Sequence, residues 1–288
     1  MSAPLIKGLS VIADRYDALL CDVWGVLHNG QMAYAGVAAA LEKFRTKGGT
    51  VLLLSNAPRP STQLPIMFER MGIPSSAYDG ILTSGDATAT HIARHELGRA
   101  CYYIGPERDL NLFNGTGVNV VAETDAEFIL VTGPFNDEVE GPEDYREQFT
   151  RLIPRGLTFV CANPDIVVER GSRHIYCAGA LARLYEELGG KVVYFGKPHL
   201  PIYEVARMRL AELAGHEIPD ARILAVGDGI ATDMKGADAA GIDALFITGG
   251  IASADCGDHP ENPDPARVAE VCTNAGIHPV AATARLVW

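Results

Sequence analysis

Four short apolar runs in this chain lack the alternation of a half-exposed strand, and each ends abruptly on polar, turn-forming residues. They are Ala18–Cys21 running into Asp22-Val23-Trp24-Gly25, Val51–Leu54 into Ser55-Asn56, Val192–Phe195 into Gly196-Lys197-Pro198, and Ile223–Val226 into Gly227-Asp228-Gly229. Unbroken apolar strands of this kind belong to parallel sheets covered on both faces. Helical apolar spacing follows them over Val37–Lys47, which Gly48-Gly49 closes, and over about 62–71, 201–213 and 232–240. A further strand is predicted at Ala244–Ile247, and Leu5–Tyr16 reads as a short helix or lead-in at the sheet edge. Strand, helix, strand, helix is the rhythm of an α/β protein with a parallel sheet, in which ligands bind beyond the carboxyl ends of the strands. The four polar ends are therefore expected to converge on one crevice carrying two carboxylates, a hydroxyl and an ammonium.

From about residue 81 the rhythm changes. A helix from Ser84 to about Leu97 is followed by short strands near 101–104, 128–131 and 157–160, a helix over 143–152, and loops at Gly133-Pro134-Phe135-Asn136 and Gly141-Pro142. These units suffice for a small α/β module. The predicted organisation is a discontinuous core of residues 1–80 and 189–288 with an inserted domain at 81–188. The breaker-rich tract Asp255–Pro265 reads as a surface loop.

Charge narrows the partners. Among 288 residues, 24 Lys and Arg against 36 Asp and Glu give a formal charge of −12, which argues against broad binding to nucleic acid or to anionic membranes. No stretch approaches the roughly 20 apolar residues of a membrane span, and Met1–Ser10 lacks a long apolar leader. The six cysteines include no C-x-x-C pair, and several lie in apolar runs where a thiol acts as a small hydrophobe. A cytoplasmic protein is expected.

Two carboxylates at neighbouring strand ends, Asp22 and Asp228, make an oxygen-rich site suited to Mg²⁺. Asp233, five residues on, is a third ligand or an orienting group. A carboxylate beside a divalent ion stays ionised and can attack phosphorus to form an aspartyl-phosphate. Ser55, with main-chain N–H groups around Asn56, is placed to hold phosphoryl oxygens, and Lys197 to neutralise their charge.

With that constellation assembled, the chain resembles the haloacid dehalogenase superfamily, whose four motifs appear in order: Asp22-Val23-Trp24-Gly25-Val26, Ser55, Lys197, and Gly227-Asp228 with Asp233. The insertion between the second and third motifs resembles that of the NagD-like phosphatase group with its large α/β cap, as do Asn163-Pro164-Asp165 and Gly196-Lys197-Pro198. The resemblance implies a Rossmann-like, doubly wound parallel-sheet core with an inserted α/β cap. It implies Asp22 as nucleophile and metal ligand, Asp228 and Asp233 at the metal, and a further ligand from the Trp24 main-chain carbonyl. Ser55 and Lys197 would form the phosphate clamp, with Asn56 beside them. The implied reaction is Mg²⁺-dependent removal of phosphate from a small phosphorylated metabolite of the sugar phosphate or nucleotide class. Family behaviour is compatible with a homodimer through the cap.

One departure matters. Two residues after the nucleophile the family's phosphatases carry a second Asp that protonates the leaving group and later activates water; here that residue is Trp24, and an indole does no acid–base work. Such a catalyst typically contributes about 10²–10⁴ in rate. Three readings stay open: hydrolysis of phosphates with good leaving groups (acyl, aryl or anhydride); a substitute acid, for which His28 is nearby in sequence; or binding of a phosphorylated ligand with weak turnover, as in a regulatory protein. Chemistry other than phosphomonoester hydrolysis also remains compatible with the motifs. Arg59, Phe135 and Asn163 are candidate substrate contacts.

Overall fold

The apolar runs become strands, and their register explains why they need no alternation. In the computed structural model, which describes residues 3–170 and 173–288, β1 (Ala18–Asp22), β2 (Thr50–Ser55) and β3 (Gly80–Thr83) open one sheet. A second sheet follows from β4 (Ala100–Ile104), β5 (Asn119–Val120), β6 (Phe128–Val131) and β7 (Thr158–Cys161). After an antiparallel hairpin of β8 (Val167–Arg170) and β9 (Arg173–Tyr176), β10 (Lys191–Tyr194) completes it. The strands β11 (Ile223–Gly227), β12 (Asp243–Ile247) and β13 (Ala281–Thr283) return to the first sheet. The strand orders are β13-β12-β11-β1-β2-β3 and β10-β7-β6-β4-β5.

The chain divides into two compact units: residues up to Ser55 with Gln63–Leu82 and Tyr203–Trp288, and Asn56–Thr62 with Thr83–Ile202. In the first, β1 pairs in parallel with β2 and with β11, setting Cys21 opposite both Leu53 and Val226. Leu19, Cys21, Val51, Leu53, Leu224 and Val226 enter one core on one face. The alternate residues Leu20, Leu52, Leu54, Ala225 and Phe246 are equally buried. Both faces are covered, so every position is apolar. The order of connection runs outward through β2 and β3 on one side of β1 and through β12 and β13 on the other side of β11. The switch point, where a doubly wound sheet opens its ligand crevice, falls between the carboxyl ends of β1 and β11. This is a Rossmann-like, doubly wound core. The expected N-terminal helix is instead two 3₁₀ turns, Leu9–Val11 and Ala13–Arg15. Ahead of them, Ile6 N–H donates to Ala282 O at 2.9 Å and Ala282 N–H to Pro4 O at 2.9 Å, so the lead-in extends the β13 edge.

The second unit is a five-stranded parallel sheet around Ile129, Val131, Phe149, Phe159, Leu181 and Tyr185. Its aromatic centre is tightly set, with Phe149, Phe159 and Tyr185 rings 5.2–5.8 Å apart, and the Tyr185 hydroxyl donates to Leu157 O at 2.9 Å.

Several elements differ from the sequence reading. The run expected to rejoin the core at 192–195 pairs instead with β7, Val193 opposite Val160. The return to the first unit therefore falls near residue 203 rather than at 189, and the 56–62 loop also belongs to the second unit. An apolar run fits either parallel sheet, and its pattern does not say which. The helix after β3 ends at Ile92 rather than Leu97, because the chain turns through a left-handed His95 with φ 58°. The short strand β5, the β8–β9 hairpin, the helix Pro265–Ala275 and β13 carried no signal that the hydrophobic pattern distinguished. Among the described residues no helix is long and apolar enough to cross a membrane.

Candidate active site

The strand ends β1 and β11 deliver Asp22 and Asp228 side by side at the switch point, and the turn after β11 adds Asp233. One carboxylate oxygen from each lies within 4.8 Å of the other two, and all three residues are buried. Asp233 was expected in the first turn of a helix over 232–240. It lies instead on a five-residue π-helical turn, Ile230–Met234, ahead of the α-helix Lys235–Ala240. Its Oδ2 accepts from Gly229 N–H at 3.1 Å and from Thr232 Oγ1 at 3.3 Å. Asp228 Oδ2 accepts from Ile251 N–H at 2.7 Å.

Glycines make room for this acidic centre. A Cβ on Gly25, whose φ is +84°, would stand 2.0 Å from Asp228 Oδ2; one on Gly250 would stand 1.9 Å from the same atom, and one on Gly227 2.2 Å from Asp233 Cβ. Backbone thus packs against the carboxylates where any side chain would displace them. Three carboxylates are thus gathered in buried positions at the end of the sheet. An all-oxygen, anionic donor set of this kind fits a hard divalent cation such as Mg²⁺. Gly25, Gly227, Gly250 and Ile251 were not singled out from sequence as site residues; the available signal was glycine next to Asp228 and within three residues of Asp22 and of the end of β12.

Ser55 ends β2 and is buried in the first unit with the carboxylates. Asn56 and Lys197 are both buried in the second unit, where the Asn56 side chain ties down the Lys197 backbone. Its Oδ1 accepts from Lys197 N–H at 2.7 Å, and its Nδ2 donates to Lys197 O at 3.0 Å and to Asp165 Oδ1 at 2.8 Å. The sequence reading gave Asn56 a main-chain role; its side chain is a positioning device for the Lys197 loop. Asn56→Ala removes all three bonds and leaves a buried N–H unsatisfied, and is expected to destabilise the protein by about 1–3 kcal/mol, read as a lower urea midpoint at unchanged slope.

The other candidates separate clearly. His28 is fully buried: its Nδ1 accepts from Gly30 N–H at 3.0 Å, its ring packs against Trp24 and Phe68, and its Nε2 has no hydrogen-bond partner among the described residues. Burial pushes its pKa down to about 4. A neutral imidazole sealed from solvent is a packing group, and this corrects the expectation of a substitute acid. Arg59 donates to the buried Asp109 at 3.0 Å, an ion pair within the second unit. Asn163 is buried, with Oδ1 accepting from Asp165 N–H at 3.1 Å, and shapes its own turn. Phe135 is 44% exposed beside Tyr145. Trp24 is 45% exposed.

The chain is similar to known proteins over most of its length. Residues 19–119 match the family model described as haloacid dehalogenase-like hydrolase, and residues 194–275 match a second HAD-hydrolase-like model. A solved structure of a haloacid dehalogenase-like family hydrolase from Brucella suis 1330 is 45% identical, covers 98% of this chain and 100% of that one, and superimposes with a TM-score of 0.85. The ribonucleotide monophosphatase NagD of Escherichia coli K12 is 28% identical over 243 residues, 82% of this chain and 89% of its own. The 5'-nucleotidase YutF of Bacillus subtilis is 27% identical over 241 residues, 82% of this chain and 88% of its own.

Proposed function

This chain belongs to the haloacid dehalogenase-like hydrolase family, in its NagD-like group, and on that premise we propose that it is a Mg²⁺-dependent phosphatase. It would remove phosphate from a small phosphorylated metabolite through an aspartyl-phosphate on Asp22. The observation that carries this reading is the buried trio Asp22, Asp228 and Asp233 at the switch point of the sheet. Relatives named ribonucleotide monophosphatase and 5'-nucleotidase support the class of substrate. Six buried cysteines outside disulfides support a cytoplasmic setting.

Asp22, Asp228, Asp233 and the Trp24 main-chain carbonyl would hold the Mg²⁺, which when bound neutralises charge on the phosphoryl oxygens. A carboxylate oxygen of Asp22 forms a bond to phosphorus as the bond from phosphorus to the leaving-group oxygen breaks, and that oxygen departs with the electron pair. Water then adds to phosphorus, the bond to Asp22 breaks, and inorganic phosphate leaves with the carboxylate restored. The Ser55 hydroxyl and the Lys197 ammonium, which follow in the family's motif order, bind the phosphoryl oxygens. No group at residue 24 hands a proton to the departing oxygen. Substrates whose leaving group is stable as an anion are therefore favoured. Retention of the nucleophile with its carboxylate partners favours turnover over simple ligand binding.

Trp24→Asp tests the diagnosis. Restoring a carboxyl group there is expected to raise kcat/KM for an alkyl phosphomonoester by about 10²-fold, the lower end of what a positioned acid contributes, with no gain in kcat/KM for an aryl phosphate. A folded variant that still turns over the aryl phosphate and shows no rise on the alkyl ester would contradict it.

A further inference from the structure

Trp24 stands where an acid would serve poor leaving groups, and its surroundings show an indole held rigidly while nearly half exposed. Its six-membered ring lies on Gly30, where an added Cβ would come within 2.5 Å of Cη2. The His28 ring meets it edge to face, with centroids 5.3 Å apart and planes at 77°, and His28 is itself fixed by Gly30 N–H. The indole is thus seated by a glycine and a buried imidazole, and it still presents 45% of its surface to solvent. Trp24 is joined directly to Gly25, the residue whose backbone packs on Asp228. Ile251 is 72% exposed and holds the same Asp228 oxygen through its N–H at 2.7 Å. Two exposed apolar side chains, one a preorganised aromatic, therefore project from the backbone that frames the acidic centre.

We propose that Trp24, with Ile251, forms an apolar platform for the leaving group, and that the substrate is an aryl phosphate whose ring stacks on the indole. This rests on the reading of Asp22 as phosphoryl acceptor. An aromatic ring attached directly to the ester oxygen satisfies both features at once. It leaves as an oxyanion without a proton donor when the bond from phosphorus to oxygen breaks, the phenolate keeping the electron pair and taking its proton from water. It also offers a flat apolar face within reach of a residue two positions from the nucleophile. A polyol ester meets neither condition: its alkoxide needs an acid, and its hydroxyls would find an indole and an isoleucine.

The test compares two phosphates that both have good leaving groups, pentafluorophenyl phosphate and acetyl phosphate, in the wild type, Trp24→Phe and Trp24→Leu. Stacking between aromatic groups predicts that the aryl-to-acyl ratio of kcat/KM falls about tenfold in Trp24→Leu. Trp24→Phe should retain most of the preference, each aryl rate being read against acetyl phosphate turnover in the same variant. A binding measurement runs beside it. The chain has two tryptophans, so in Trp288→Phe the emission is that of Trp24, and phenylphosphonate is expected to shift it while methylphosphonate binds without doing so. An unchanged aryl-to-acyl ratio in Trp24→Leu with turnover intact overturns the platform and leaves the phosphatase reading standing, as do two phosphonates that bind equally and leave the emission unmoved. Failure of the wild type to release phosphate from either substrate and to bind either phosphonate overturns both.

Discussion

Asp22→Asn is expected to lower phosphate release by about 10⁴-fold or more, while the protein in chelator stays folded. Asparagine keeps the shape of the side chain at the end of β1 and removes the nucleophilic charge. The fold half of the prediction follows from shape: Asp22 closes the fully buried β1, and an amide of the same size leaves the packing of that strand unchanged. The same change weakens the hold on Mg²⁺, so the rise in melting temperature that Mg²⁺ gives the wild type shrinks in the variant. Phosphate release and paired melts with Mg²⁺ and with chelator check both halves. A variant that loses activity because it unfolds in chelator would show Asp22 to be structural.

Gly25→Ala should reduce activity by at least about 10²-fold without removing any reacting group. Its φ of +84° is a left-handed conformation that costs a side-chain-bearing residue roughly 1–2 kcal/mol. Its new Cβ would also stand 2.0 Å from Asp228 Oδ2, so the carboxylate must move, and misplacement by about 1 Å is worth about 10²-fold in rate. Gly48→Ala separates the two effects. Gly48 has a similar φ of +92° with nothing within 4 Å of an added Cβ, so it should lose comparable stability and keep full activity. Similar activity in the two variants would show that the glycine contact at Asp228 does not set the carboxylate.

The legible part of this molecule was what hydrophobic pattern and strand-end chemistry encode. Ala18–Cys21 and Ile223–Val226 are apolar throughout because both faces of their sheet are buried, and the residues that break each run, Asp22 and Asp228, break it at the switch point. What the pattern lacked was sheet membership. Val192–Phe195 satisfies a parallel strand equally well in either unit, and its pairing with β7 depends on contacts remote in sequence. The two-residue strand β5 is too short for a period, and so is the three-residue β13, which comes after the helix Pro265–Ala275. At the site, His28 read as a candidate acid because its proximity in sequence was visible and its burial was not. The converse held for Gly25 and Gly250, whose function is the absence of a side chain and shows only once Asp228 is beside them.

The most direct test of the central claim is the dependence of Asp22-requiring phosphate release on leaving-group pKa, measured with Mg²⁺ across aryl and alkyl phosphates. Attack by Asp22 without an efficient proton donor predicts that log(kcat/KM) falls steeply as the leaving-group pKa rises, with all release lost in Asp22→Asn. A shallow dependence, or release that persists in Asp22→Asn, would contradict it.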